Sequence, residues 1–232
     1  METKQIAGVY DRSEQVSLFR SVYMWVAMAL AITGLSALFV SDSFGMQALL
    51  FGSPVRLIVT VVIELALVMY LTARIRTLSF TAATMLFILY SVMNGFVLSS
   101  VLLVYTATSV ASTFFITAGT FASMCLIGYV TKRDLSSWGN LLMMFVLGLI
   151  IATLVNLFLH STLLEWIISF VGIIVFSGLA AYDSQKIRQL LLTDGLEVND
   201  SVRKIALLGA LSLYLDFINL FLYFMRIFGD RD

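Results

Sequence analysis

From Phe80 to Thr131 the chain carries no Asp, Glu, Lys or Arg. A run of that length without charge has room for two membrane-spanning helices and a tight turn. The rest of the chain is similar. Of its 232 residues, 60% are hydrophobic and 12% charged, whereas soluble domains are about 45–50% apolar. The composition therefore predicts an all-α, polytopic membrane protein with no separate soluble domain.

Seven spans fit the apolar stretches, at about residues 21–40, 55–74, 80–104, 110–131, 138–159, 164–183 and 204–228. Each is long enough to cross the hydrocarbon core at roughly 1.5 Å per residue. Together they predict a single transmembrane domain over residues 1–232. Ser21–Val40 exceeds the roughly 15 residues of a signal-peptide core and is expected to be retained. The last stretch has an alternative, a re-entrant hairpin. With the N-terminus in the cytoplasm, only Arg56, Arg226 and Arg231 of the 14 basic residues fall outside. That bias sets the orientation and places the C-terminus outside.

Other features exclude whole classes. The formal net charge is zero and no basic stripe is present, so nucleic acid is not an expected partner. The single cysteine, Cys125, forbids an internal disulfide. One proline, Pro54, argues against transport folds built on several proline-broken helices.

The chemistry is carried by acids. Asp216 is the only charge in the 21 residues from Ile205 to Met225. A carboxylate at the centre of a span costs about 2.5–3.5 kcal/mol on insertion scales, so it calls for a partner, water or a proton. Ser212, Asp216, Asn219 and Tyr223 recur at helical spacing and share one face, while Leu211, Leu215, Ile218 and Leu222 are assigned to the opposite face. The bland alternative is a buried acid that only hydrogen-bonds its neighbours.

Asp183 ends the sixth predicted span, beside the small residues Ser177, Gly178, Ala180 and Ala181. Small residues let another helix come close, so antiparallel spans six and seven can bring Asp183 toward Asp216. Depth is the obstacle: Asp216 is twelve residues beyond Lys204, about 18 Å of helix. The alternative is that Asp183 simply ends its helix among the headgroups. If the two acids meet, they cannot both stay ionised cheaply and titrate as a unit, a pH sensor. A cation or arginine would relieve the repulsion left by the departing proton. Arg74 and Arg76 are at the right depth to latch Asp183, with ordinary positive-inside anchoring as the alternative.

Glu64 falls near the midplane of the second span. It suits a cation path or a structural hydrogen bond to Asn94 or Asn156. Ser91, Ser99 and the Thr113/Thr117/Thr120 stripe suit helix–helix contacts. No Lys or Arg lies deep in a span, a sign that favours cations or protons over anions. His160 sits at an outer edge.

Leu211–Gly229, LSLYLDFINLFLYFMRIFG, closely resembles the last-span signature of the Bax inhibitor-1 family, the transmembrane Bax inhibitor motif proteins. Ile174–Arg188, IVFSGLAAYDSQKIR, is similar to that family's sixth span, with its small-residue run, Tyr-Asp and Gln-x-Ile. The resemblance covers nearly the whole chain, and the compact ends look like those of bacterial members of the inner (plasma) membrane. It implies a seven-helix bundle with the last helix surrounded by the other six. It also implies a di-aspartyl pH sensor at Asp183 and Asp216, latched by Arg74 or Arg76, and a matching acid at Glu64. Bacterial members are described as pH-sensitive calcium leaks; eukaryotic members lower stored calcium and suppress cell death.

Three functions compete. The first is a cation leak, with Ca²⁺ and protons passing among membrane lipid. Ca²⁺ takes about six to eight oxygens, so Glu64, Asp183 and Asp216 with span carbonyls would make a weak site along a path that includes Asn94, Ser212 and Asn219. No cofactor is expected beyond Ca²⁺ as the transported ion, and no enzymatic activity. The second is a regulator that binds a membrane protease or a stress or cell-death factor. Its candidate contacts are the segment before Arg20 and the mixed-charge connection Ser184–Arg203, which includes Asp194 and Glu197. The third is an intramembrane aspartyl protease, superficially similar to presenilins. Leu213-Tyr214-Leu215-Asp216 lacks that family's Gly-x-Gly-Asp run, which weighs against it.

Overall fold

The computed structural model describes residues 2–192 and 198–231, with side chains from Ser13 onward. Eight helices run in order among these residues: α1 (Glu2–Ser41), α2 (Phe44–Phe51), α3 (Pro54–Arg74), α4 (Phe80–Val104), α5 (Ala107–Val130), α6 (Ser136–Leu159), α7 (Thr162–Leu191) and α8 (Asp200–Phe228). All but α2 are long and apolar enough to cross a membrane. The protein is a helical membrane bundle.

Local chemistry sets the helix ends. The Ser53 hydroxyl accepts the Val55 N–H and Pro54 takes the first helical position, so α3 starts there. Thr106 caps α5 through the Ser109 N–H. The Asn199 carboxamide oxygen accepts the Ser201 and Val202 N–H groups and opens α8. His160 stops α6 in a left-handed conformation (φ 48°). Asn156, weighed above as a partner for Glu64, is used at this end, its side chain accepting the Ser161 N–H.

Two boundaries in the C-terminal third differ from the expectation. The sixth span runs to Leu191, eight residues past Asp183, so Asp183 lies inside a helix and does not end one. The connection drawn as Ser184–Arg203 is consequently mostly helix, with Ser184–Leu191 in α7 and Asp200–Arg203 in α8; Asp194 and Glu197 lie outside the described residues. The last span is one continuous 29-residue helix, which removes the hairpin alternative. The short helix α2 is additional. Its apolar octet is too short to span, and the Ser43 hydroxyl caps it.

The described chain forms two compact units, the first up to Val104 with Leu190–Leu211, the second Tyr105–Gln189 with the chain from Ser212 on. In the first unit α4 packs against α1 and α3, and α2 touches both α1 and α3. The Thr33 hydroxyl donates to the Ser91 carbonyl at 2.9 Å. Lys204 Nζ closes the α3–α4 turn by donating to the Arg76 and Leu78 carbonyls, both at 3.0 Å.

The second unit is built of α5, α6, α7 and the C-terminal part of α8. Phe217 packs its ring against Phe114 and Phe121 of α5, with centroids 5.6 and 5.4 Å apart. At one end the Thr106 N–H donates to the Asp230 carbonyl and the Ser109 hydroxyl to the Phe228 carbonyl, tying the chain end to the start of α5. Of the seven spans α8 is the most buried and α6 the least, with 61% and 11% of their apolar windows buried.

Candidate functional site

The small residues of α7 admit α5. A Cβ on Gly128 would come within 2.0 Å of the Ala181 carbonyl oxygen, so only glycine allows this approach. Cys125 Sγ lies 3.8 Å from the Ala180 carbonyl, and the Ser184 hydroxyl donates to the Cys125 carbonyl at 2.8 Å. Gln185 then locks the end of α5 and the turn after it: its Nε2 donates to the Thr131 and Arg133 carbonyls, and its Oε1 accepts the Leu135 N–H. Arg188 donates to the Tyr129 carbonyl at 2.6 Å. The polar residues after Asp183 thus hold α7 against its neighbours.

This anchoring fixes Asp183, about 12 Å from the end of α7. Ser212 and Asp216 lie roughly 18 and 24 Å from the start of α8. In an antiparallel pair Asp183 therefore meets Ser212 first, and the Ser212 side chain lies beside the Asp183 carboxylate on the cavity wall. Asp216 follows one turn on, close enough for the two carboxylates to interact electrostatically. Lys186, one turn from Asp183 on α7, is the nearby positive charge, its Nζ 5.6 Å from the Tyr182 ring centroid.

Both acids line one cavity of about 310 Å³. From α8 it takes Ser212, Leu215, Asp216, Asn219 and Tyr223. This is the polar face read from the spacing, except that Leu215, assigned to the opposite face, sits on its edge. Phe176, Leu179 and Asp183 line it from α7, and α6 closes the side with Met143, Val146, Leu149 and Ile150. One end is stoppered by Tyr223, stacked on Phe176 at 5.7 Å and laid over Gly172, where a Cβ would meet the ring at 2.6 Å. Arg226 sits 5.3 Å over the same ring. The Asn219 amide donates to the Leu215 carbonyl at 2.8 Å.

Asp216 is 6% exposed, and its Oδ2 has no hydrogen-bond partner among the described residues. An unpaired carboxylate removed from water costs several kcal/mol. A proton or a cation removes that cost, so the arrangement can take up either. The charges of both carboxylates reach the buried Cys125 thiol. Nothing in the sequence marks Cys125 or Gln185 as part of this surrounding, because their partners lie about fifty residues away along the chain.

The remaining candidates belong to the first unit. Glu64 is buried and accepts a hydrogen bond from the Asn94 amide, with Tyr90 as a second side-chain partner. This is the hydrogen bond to Asn94 weighed above, with Tyr90 as the member sequence reasoning missed. Arg74 ends α3 and Arg76 lies in the turn that follows. Among the described residues no group of three or more His, Cys, Asp or Glu is placed to hold a metal ion.

A family model described as "Inhibitor of apoptosis-promoting Bax1" matches residues 15–232. The chain is 46% identical to the inner membrane protein YbhL of Escherichia coli strain K12, over 96% of this chain and 95% of that one. It is 42% identical to an uncharacterised protein of Rickettsia prowazekii, covering 90% and 88% of the two chains. An uncharacterised membrane protein of Streptococcus pyogenes serotype M1 is 34% identical over 92% and 93%.

Proposed function

The chain belongs to the Bax inhibitor-1 family of membrane proteins, and from that premise we propose that it is a pH-sensitive cation leak of the inner membrane, passing Ca²⁺ and gated by Asp183 and Asp216. The observation that carries this is the unpartnered Oδ2 of the buried Asp216 in a cavity it shares with Asp183. A proton held by the pair removes one of two like charges from that cavity. When it leaves, the two carboxylates repel and demand a counter-cation or separation. Either response changes how α7 and α8 pack, and hence the path.

The groups that face the pair are Ser212 on α8, Lys186 on α7 and the Cys125 thiol on α5. Ser212 and Asn219 add oxygen along the cavity wall. Two carboxylates and a few neutral oxygens fall short of a tight Ca²⁺ cage, which suits passage better than storage. Arg74 and Arg76 are the latch candidates, the N-terminus faces the cytoplasm, and Glu64 is a third acid for the path.

The test is Ca²⁺ efflux from proteoliposomes, followed with an external dye as pH is stepped from neutral to acid. A protein-dependent efflux that changes with pH supports the proposal; efflux equal to that of empty liposomes at every pH refutes it.

A further inference from the structure

The cavity beside Asp216 offers a bare ion little along most of its wall. Seven of its twelve lining residues are hydrocarbon or thioether, so oxygen donors cover only part of its surface. On the α6 side Met143 and Ile150 are 57% and 52% exposed, and α6 is the least buried span. That wall reaches the outer surface of a span long and apolar enough to cross a membrane. At the other extreme Asp216 and Asp183 both line the same cavity, and the buried Asp216 Oδ2 has no hydrogen-bond partner among the described residues. The volume, about 310 Å³, is at the small end of the roughly 300–1,000 Å³ of ligand pockets, which suits one chain and a compact headgroup.

We propose that this cavity binds a single-chain lipophilic amine from the bilayer, its ammonium seated against Asp183 and Asp216 and its alkyl chain lying along Val146, Ile150 and Leu215. An ammonium is a compact cation with three donors and no acceptor. It can donate to both carboxylates, since Asp183 and Asp216 line the same cavity. Lys186 beside Asp183 offsets only one of the two acidic charges. Arg226 stays behind the Tyr223 ring at the stoppered end. The charge of the site therefore selects a cationic head over an anionic one, and its apolar wall selects an alkyl chain over a hydrated ion. A bound amine occupies the cavity through which the proposed leak would run.

The experiment measures retention of radiolabelled decylamine by the full-length protein in phosphatidylcholine nanodiscs, with empty nanodiscs subtracted. The expected result is saturable binding that decanoate and decanol do not compete away. The Asp183→Asn/Asp216→Asn double variant binds at least about tenfold more weakly, because a charge-assisted contact is lost. Val146→Trp, which fills the cavity and leaves both acids in place, abolishes saturable binding. Size-exclusion profiles and helical circular dichroism establish that the variants are folded; if they are not, the competition in wild-type protein decides alone. Wild-type retention no greater than that of empty nanodiscs, or competition by decanoate equal to that by unlabelled decylamine, overturns the proposal. So does unchanged binding in folded Val146→Trp. Ca²⁺ efflux is read separately, so a leak without amine retention refutes this site alone, and amine retention without a leak refutes the leak alone.

Discussion

Ser212 of α8 stands beside the Asp183 carboxylate of α7, one helical turn before Asp216 on the same face. Ser212 is thus the neutral polar side chain placed between the two acids where α7 and α8 meet. Ser212→Ala should move the pH midpoint of Ca²⁺ efflux by about one unit, the scale of a hydrogen bond to a charged group. Ser212→Thr, which keeps the hydroxyl, should restore it. An unchanged midpoint in Ser212→Ala would show that this contact plays no part in gating.

Asp134 serves as a control for acid effects outside the membrane. The Ser136 hydroxyl and N–H hold its carboxyl below the usual range at the exposed start of α6. A lowered folded-state value means its stabilising contribution is present above the ordinary carboxyl range and lost only as pH falls through the lowered one. Asp134→Asn should therefore leave the efflux–pH profile unmoved from neutral down to ordinary carboxyl values.

The α5–α7 contact leaves no room at Gly128. Gly128→Ala places a methyl against the Ala181 carbonyl, and overpacking of this kind costs about 1–3 kcal/mol. Unfolding in mixed micelles titrated with dodecyl sulfate should show that loss. Gly119→Ala, where a Cβ meets open space, should show none.

In the first unit the Asn94 amide is the donor that satisfies buried Glu64. Asn94→Leu leaves that acid short of a partner and should cost about 1–3 kcal/mol by the same unfolding assay. Adding Glu64→Leu should recover part of it, because the two residues are coupled. Simple additivity of the two substitutions would mean that the contact contributes nothing.

Much of this was legible beforehand. The charge-free run from Phe80 to Thr131 and the apolar stretches around it mark the spans. The spacing of Ser212, Asp216, Asn219 and Tyr223 gives the polar face that lines the cavity. The depth of Asp183 was not legible, because Lys186 and Arg188 read as the charged edge of a membrane. In the fold α7 continues past them, burying Ser184, Ile187 and Leu191 on one side, a three- and four-residue spacing that carries the helix signal. Tyr90 and Gln185 were missed because their roles depend on partners distant in sequence, and α2 because an apolar octet is too short to register as a span.

The most direct measurement is the pH profile of Ca²⁺ efflux from proteoliposomes bearing Asp216→Asn, beside wild-type protein at equal density. With the neutral amide in place the pair can no longer share a proton, and the profile should flatten across the range where the wild type responds. A variant that keeps the wild-type midpoint and steepness would contradict the two-carboxylate gate.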